Sequence, residues 1–180
     1  GEQVSAIAEG LRAVGVKKGD RVAGFMPNCP ETIIAMLAAT SLGAIWSSCS
    51  PDFGFKGVLD RFGQIRPKVL FCADGYRYNG KQHASLPRAV EVVKAIDSIQ
   101  QLVIIPLLSS SPDISDIPNA ILMPDALDNS ASEVAFKPLD FKHPLYIMYS
   151  SGTTGKPKCI VHGHGGTLLQ HAKEHVLHTD

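Results

Sequence analysis

Short apolar runs alternate with helix-length stretches that carry a single apolar stripe, and this rhythm restricts the fold more than any other feature of the chain. Val4, Ile7, Ala8, Leu11 and Val14 recur at helical spacing, and Gly15, Lys17, Lys18 and Gly19 supply the stop. A short strand is expected over residues 21–26, ended by Pro27 and Asn28. Pro30 then opens a helix through Ile33, Ile34, Met36, Leu37 and Ala38, ended by Gly43. It is apolar nearly all round, which predicts a buried helix. The alternation continues with strands over 44–49, 68–73 and 102–108. Between them lie helix stripes at Val58, Leu59, Phe62 and Ile65 and at Ala89, Val90, Val93 and Ile96. Strands separated by helices of this length imply βαβ crossovers, hence an α/β fold with a mostly parallel sheet flanked by helices on both faces.

Residues 109–143 break the rhythm with Ser109, Ser110, Ser111, several prolines and several acids. A stretch of this length reads as an insertion or as a connecting segment. The pattern resumes with a strand over 145–149, a second over 159–162, and a helix stripe at Leu168, Leu169, Ala172 and Val176. No internal repeat is evident.

Composition narrows the partners. Of the 180 residues, 44% are apolar and 19% charged, ordinary proportions for a globular chain, and Lys plus Arg (17) equals Asp plus Glu (17). That balance excludes the basic footprint of a nucleic-acid binder and a polybasic membrane patch, leaving small molecules as the expected partners. Cys29, Cys49, Cys72 and Cys159 form no C-x-x-C pair, which argues against a disulfide framework and for a reducing, cytoplasmic setting. No apolar run approaches the ~18 residues a membrane span needs. Gly1 leads directly into helical periodicity and Asp180 interrupts it, so the chain is expected to be part of a longer polypeptide whose remainder completes it.

One loop concentrates the chemistry. Ser150-Ser151-Gly152-Thr153-Thr154-Gly155-Lys156-Pro157-Lys158 lies between two expected strands. Glycines let backbone N–H groups approach an anion, hydroxyls donate to phosphate oxygens, and lysines neutralise charge. The plain alternative is a solvated hairpin, since loops are commonly polar. A Walker A loop fails on spacing. Only two residues separate Gly152 from Gly155, and Pro157 follows Lys156 where that motif has Ser or Thr. A Rossmann fingerprint fails because the first glycine is missing and Pro157 interrupts the helix that would receive the pyrophosphate.

The run from Tyr149 through Lys158 resembles the phosphate loop of the adenylate-forming acyl-CoA synthetase and luciferase superfamily. Two further stretches resemble its short-chain acyl-CoA synthetases. They are Leu42-Gly43-Ala44-Ile45-Trp46-Ser47-Ser48-Cys49-Ser50-Pro51-Asp52-Phe53-Gly54 and Gly163-His164-Gly165-Gly166-Thr167-Leu168-Leu169-Gln170-His171. The resemblance runs over essentially all 180 residues and implies an incomplete N-terminal AMP-binding domain over 1–180. It implies a two-step ligase reaction. A carboxylate, acetoacetate first among the expected acids, attacks the α-phosphate of ATP to give an acyl-adenylate, and the thiol of coenzyme A then displaces AMP. Mg²⁺ would accompany the phosphates. The alternatives are an acetate or propionate enzyme, or a non-catalytic nucleotide-binding module; these residues alone are expected to be inactive.

The same resemblance assigns Ser150, Ser151, Gly152, Thr153, Thr154, Gly155 and Lys158 to the ATP phosphates, with Thr153 and Lys158 as catalytic residues. Lys156 either joins them or is solvated. Coenzyme A is implied to meet Trp46, Ser47 and Ser48 near its adenine, and Arg77 and Lys81 at its phosphates. Trp46, the only tryptophan, equally suits a packing role.

Five of the seven histidines fall near the end, and His171 and His175 lie one helical turn apart. The H-E-x-x-H order is absent and no third ligand is indicated, so no metal site is assigned there. No G-x-S-x-G elbow supports a Ser-His-Asp triad.

Overall fold

The computed structural model describes residues 1–127, 133–150 and 155–179. Among them the elements run α1 (Glu2–Ala13), β1 (Arg21–Phe25), α2 (Pro30–Ser41), β2 (Ile45–Cys49), α3 (Phe55–Ile65), β3 (Val69–Ala73), β4 (Gly75–Tyr78), β5 (Lys81–Ala84), α4 (Leu86–Ala95), β6 (Gln101–Ile105), β7 (Ala120–Leu122), a 3-10 turn (Met123–Ala126), β8 (Pro144–Ser150), β9 (Lys158–Gly163) and α5 (His164–His178). Seven strands form one sheet in the order β7-β6-β3-β1-β2-β8-β9, and β4 and β5 form a separate hairpin. Every pairing in the large sheet is parallel except β8 with β9.

Period-two alternation divides the core between the faces. Val69, Phe71 and Ala73 of β3 turn toward α1 and α2, while Leu70 and Cys72 turn toward α3 and α4. Because helices cover both faces, the inner strands are apolar on both sides, as the uninterrupted burial of β3 shows. β6 ends at Ile105, ahead of the expected boundary, because Pro106 lacks an N–H to continue the ladder.

The structure corrects one expectation. α2 is not buried all round. Ala35, Ala38 and Ala39 face the sheet, but Ile33 and Leu37 are 52% and 45% exposed, since a helix in an outer layer has only one covered side. The α5 stripe forms, and Leu168, Leu169 and Val176 are all more than 60% exposed. The 109–143 stretch, expected as an insertion or connecting segment, contains one short strand. It adds β7 to the sheet edge beside β6, then passes α2, where Lys137 N–H donates to Ser41 C=O, before entering β8.

Candidate functional site

β1 leads through α2 on one face of the sheet to β2, and β2 leads through α3 on the other face to β3. The loops leaving β1 and β2 therefore diverge, and a crevice opens between their carboxyl ends. Open α/β sheets bind ligands at such switch points. A cavity of about 350 Å³ occupies this crevice, lined by Met26, Pro27 and Asn28 after β1, Ser48 to Asp52 at the end of β2, and Tyr76, Arg77 and Tyr78 of the hairpin.

The hairpin forms because Asn79 and Gly80, both at positive φ (49° and 74°), make the turn whose twist matches its flanking strands. Tyr76 stacks on His83, with ring centroids 5.1 Å apart. Its hydroxyl donates to the Asp52 carboxylate, which also accepts from Ser50 Oγ, so the hairpin is tied to the loop after β2. These two hydrogen bonds, led by that from Tyr76, hold the Asp52 carboxyl below its ordinary value, and Asp52 raises the Tyr76 phenol in return.

The flanks of the glycine-rich run, the end of β8 and the start of β9, lie at the same edge of the sheet. Ser150, the last residue of β8, pairs with Lys158, the first of β9. Ser151, Gly152, Thr153 and Thr154 lie outside the described residues. Gly155 has φ +99°, a conformation that an L side chain rarely adopts. Lys156 and Lys158 are exposed. Helix α3 supports the loop's exit: Gln64 Nε2 donates to Pro157 C=O at 2.9 Å and to Asp60 C=O at 2.6 Å. The Asp60 carboxyl is held below its ordinary value, first by the hydrogen bond from Lys56, with the charges of Lys56, Lys156 and Arg61 adding to it. Arg61 lies over the Phe53 ring at 4.2 Å and faces Tyr149 at 5.6 Å, placing a cation beside the end of β8.

The expected coenzyme A residues separate into three groups. Ser48 and Arg77 line one crevice, and Lys81 sits across the hairpin from Tyr78, outside that lining. Trp46 and Ser47 are turned inward, contrary to the expected contact with adenine. Trp46 is 4% exposed, with its ring against Phe71 and against the space over Gly24, and so offers no open face for stacking. Ser47 is 2% exposed; its hydroxyl donates to Ile147 C=O at 2.7 Å and lies 3.0 Å from the Tyr149 hydroxyl, joining β2 to β8. Burial pushes the Cys49 thiol up to about 12 and raises the Tyr149 phenol, so neither group supplies an anion at neutral pH.

The Asp52–Tyr76 tie and the Gln64 latch had not been anticipated. The Asn79-Gly80 dipeptide was a legible hairpin signal, whereas nothing local in the sequence marks Gln64. Among the described residues, no group of three or more His, Cys, Asp or Glu could hold a metal ion, and no helix is long and apolar enough to cross a membrane.

A mostly parallel sheet with helices on both faces and a crevice at the switch point between β1 and β2 defines a doubly wound α/β domain. The chain belongs to the AMP-binding enzyme family, whose sequence model matches residues 1–179. It is 53% identical over 183 positions to acetoacetyl-CoA synthetase of Rattus norvegicus, covering 98% of this chain and 27% of that protein. It is 40% identical over 188 positions to a malonamoyl-CoA synthetase of Penicillium aethiopicum, covering 99% of this chain and 26% of that protein. The solved acetoacetyl-CoA synthetase from Streptomyces lividans superposes with a TM-score of 0.91 at 41% identity, over 98% of this chain and 27% of that one. The chain thus spans about a quarter of the length of the relatives it matches.

Proposed function

We propose that the chain is part of the nucleotide-binding domain of an ATP-dependent acid–thiol ligase that converts acetoacetate and coenzyme A to the thioester. The observation that supports this reading is the pairing of Ser150 with Lys158, which brings the two flanks of the glycine-rich run together at the sheet's carboxyl edge. The 53% identity to a protein named for acetoacetate supports that acid.

In the first step a carboxylate oxygen of the acid bonds to the α-phosphorus of ATP, the bond from that phosphorus to the bridging oxygen breaks, and pyrophosphate leaves. The loop's task is electrostatic. Charge gathers on the departing pyrophosphate, and fixed N–H and hydroxyl dipoles stabilise it without reorganising. Ser150, Ser151, Thr153 and Thr154 would donate to the β and γ phosphates, Gly152 and Gly155 would let the backbone approach them, and Lys158 would add a full positive charge. Lys156, close enough to act on Asp60, would serve as a second, outer charge. In the second step the thiol sulfur of coenzyme A bonds to the acyl carbon as AMP leaves. Arg77 and Lys81, which form no ion pair among the described residues, would meet the phosphates of coenzyme A, with Ser48 across the crevice from Arg77. Mg²⁺ enters as part of the ATP substrate, because the loop's hydroxyl and ammonium donors suit phosphate oxygens rather than a bare dication. The four free cysteines accord with a reducing cytoplasm.

The 40% identity to a malonamoyl-CoA synthetase favours a second acid of similar size as the alternative. Full-length protein assayed for acid-dependent pyrophosphate exchange and thioester formation separates these readings. The proposal expects the highest kcat/KM with acetoacetate. Preference for malonamate, acetate or propionate would replace the acid, and no exchange with any acid would leave a non-catalytic nucleotide-binding module.

A further inference from the structure

We infer that Asp74 is a positioning residue for coenzyme A capture, an inference that rests on the ligase reading above and on the hairpin's place in it. Asp74 lies between β3 and β4 and is 6% exposed. Its carboxylate faces a nest of three backbone donors. Oδ1 accepts from Leu107 N at 2.8 Å and Leu108 N at 3.0 Å, and Oδ2 from Ser109 N at 2.9 Å. Its own N–H donates to Ile105 C=O at 2.9 Å, and its C=O accepts from Ser85 N at 3.0 Å. The end of β3, both legs of the hairpin and the turn after β6 therefore meet at one residue. Charge-assisted bonds of this kind are stiffer and stronger than neutral ones.

The hairpin root is also sterically tight. A Cβ on Gly75 would fall 2.4 Å from His83 O and 2.4 Å from Leu108 Cδ1, so Leu108, held by Asp74, closes over a glycine with no room to spare. Beyond this root, Arg77 to Lys81 are exposed. At roughly 3.4 Å per residue, Arg77 stands about 10 Å from Asp74, so a tilt of about 10° at the root moves it by almost ~2 Å. Displacements of that size separate a formed phosphate contact from a lost one. The Asp52–Tyr76 tie restrains β4 two residues beyond Asp74, so loss of the root anchor is expected to misaim Arg77 rather than release the hairpin.

The test uses full-length protein with Asp74→Asn, which keeps the side chain's size and replaces one acceptor oxygen with a donor. The expected result is a rise of about tenfold in KM for coenzyme A. Acid-dependent pyrophosphate exchange, which needs no coenzyme A, is expected to stay within about twofold, since Asp74 lies outside the phosphate loop. The wild type's preference for coenzyme A over the analogue lacking its 3′-phosphate is expected to narrow in the variant, a change that loss of folded protein does not produce. Gly75→Ala, which forces the same root apart with Asp74 intact, is expected to reproduce the effect if Asp74→Asn cannot be recovered folded. An unchanged KM for coenzyme A in the recovered variant, or exchange and thioester formation falling together, overturns the inference while leaving the ligase reading in place. A wild type that forms no thioester with any acid removes both.

Discussion

Gly24→Ala tests the seam between β1 and β2 that sets the floor of the crevice. Gly24 pairs with Ser48, and a Cβ there would lie 2.7 Å from Trp46 Cζ2 and 2.8 Å from Cη2, where ordinary carbon contacts lie near ~3.5 to 4.0 Å. The indole must therefore retreat by roughly 1 Å, and it has little space, being 4% exposed and set against Phe71 at a centroid distance of 6.2 Å. Overpacking of this kind destabilises by about 1 to 3 kcal/mol. Because the φ of Gly24 is not positive, alanine fits the backbone and recovers about 0.4 to 1 kcal/mol through the unfolded chain. The expected net loss is about 1 to 2 kcal/mol, a fall in Tm of about 3 to 6 °C. Thermal unfolding followed by circular dichroism measures it. A double-mutant cycle with Trp46→Phe, which opens space over Gly24, should return about 1 kcal/mol of favourable coupling. A neutral or stabilising Gly24→Ala, or a cycle with no coupling, would refute the assignment of Trp46 to the core.

Lys158→Ala should leave stability within about 0.5 kcal/mol, since an exposed side chain is removed. Pyrophosphate exchange should fall about 10- to 100-fold, as expected for a lost charge-assisted contact; an unchanged exchange rate removes Lys158 from the site. At Gly155, with φ +99° and open space around its Cβ position, alanine should introduce about 1 to 2 kcal/mol of backbone strain and raise KM for ATP. An unaltered KM for ATP would mean that the loop's exit conformation does not matter to nucleotide. The Asp52–Tyr76 tie has a definite pH dependence. Because hydrogen bonding lowers the Asp52 pKa in the folded state, its contribution is fully present above the ordinary value of 3.8 and is lost as pH falls through the lowered one. Tyr76→Phe should move the Asp52 titration up toward 3.8 in a carboxyl-carbon NMR experiment, and an unmoved midpoint would contradict the tie.

Periodicity made the layered α/β architecture legible because buried parallel strands and one-sided helices leave strong, opposite signatures. Val69 to Ala73 is apolar throughout, whereas Val58, Phe62 and Ile65 form a single stripe. The short and polar elements escaped. β4 and β5 have four residues each and mostly exposed side chains, so they lack the alternation that marks a strand against a core. β7 has three residues within a serine- and proline-rich stretch and is a strand only because β6 offers it a parallel edge. Exposure was misjudged at α2 because composition records how apolar a helix is, not which neighbour covers it. At the site, the glycine-hydroxyl-lysine run is local and could be read directly. The Gln64 and Asp52 contacts reach across 93 and 24 positions respectively, and no window of sequence contains them. Trp46 illustrates the same limit. An aromatic beside serines suits an adenine platform or a core wedge equally well, and only the neighbouring Gly24 and Phe71 decide between them.

The proposed function requires the run between Ser150 and Lys158 to hold the β and γ phosphates of ATP. Calorimetric titration of full-length protein with ATP and with AMP, repeated on a variant carrying Thr153→Ala and Lys158→Ala, tests it most directly. The variant should bind ATP at least about tenfold more weakly while its affinity for AMP, which lacks those phosphates, stays unchanged. Equal weakening of both nucleotides, or of neither, would contradict it.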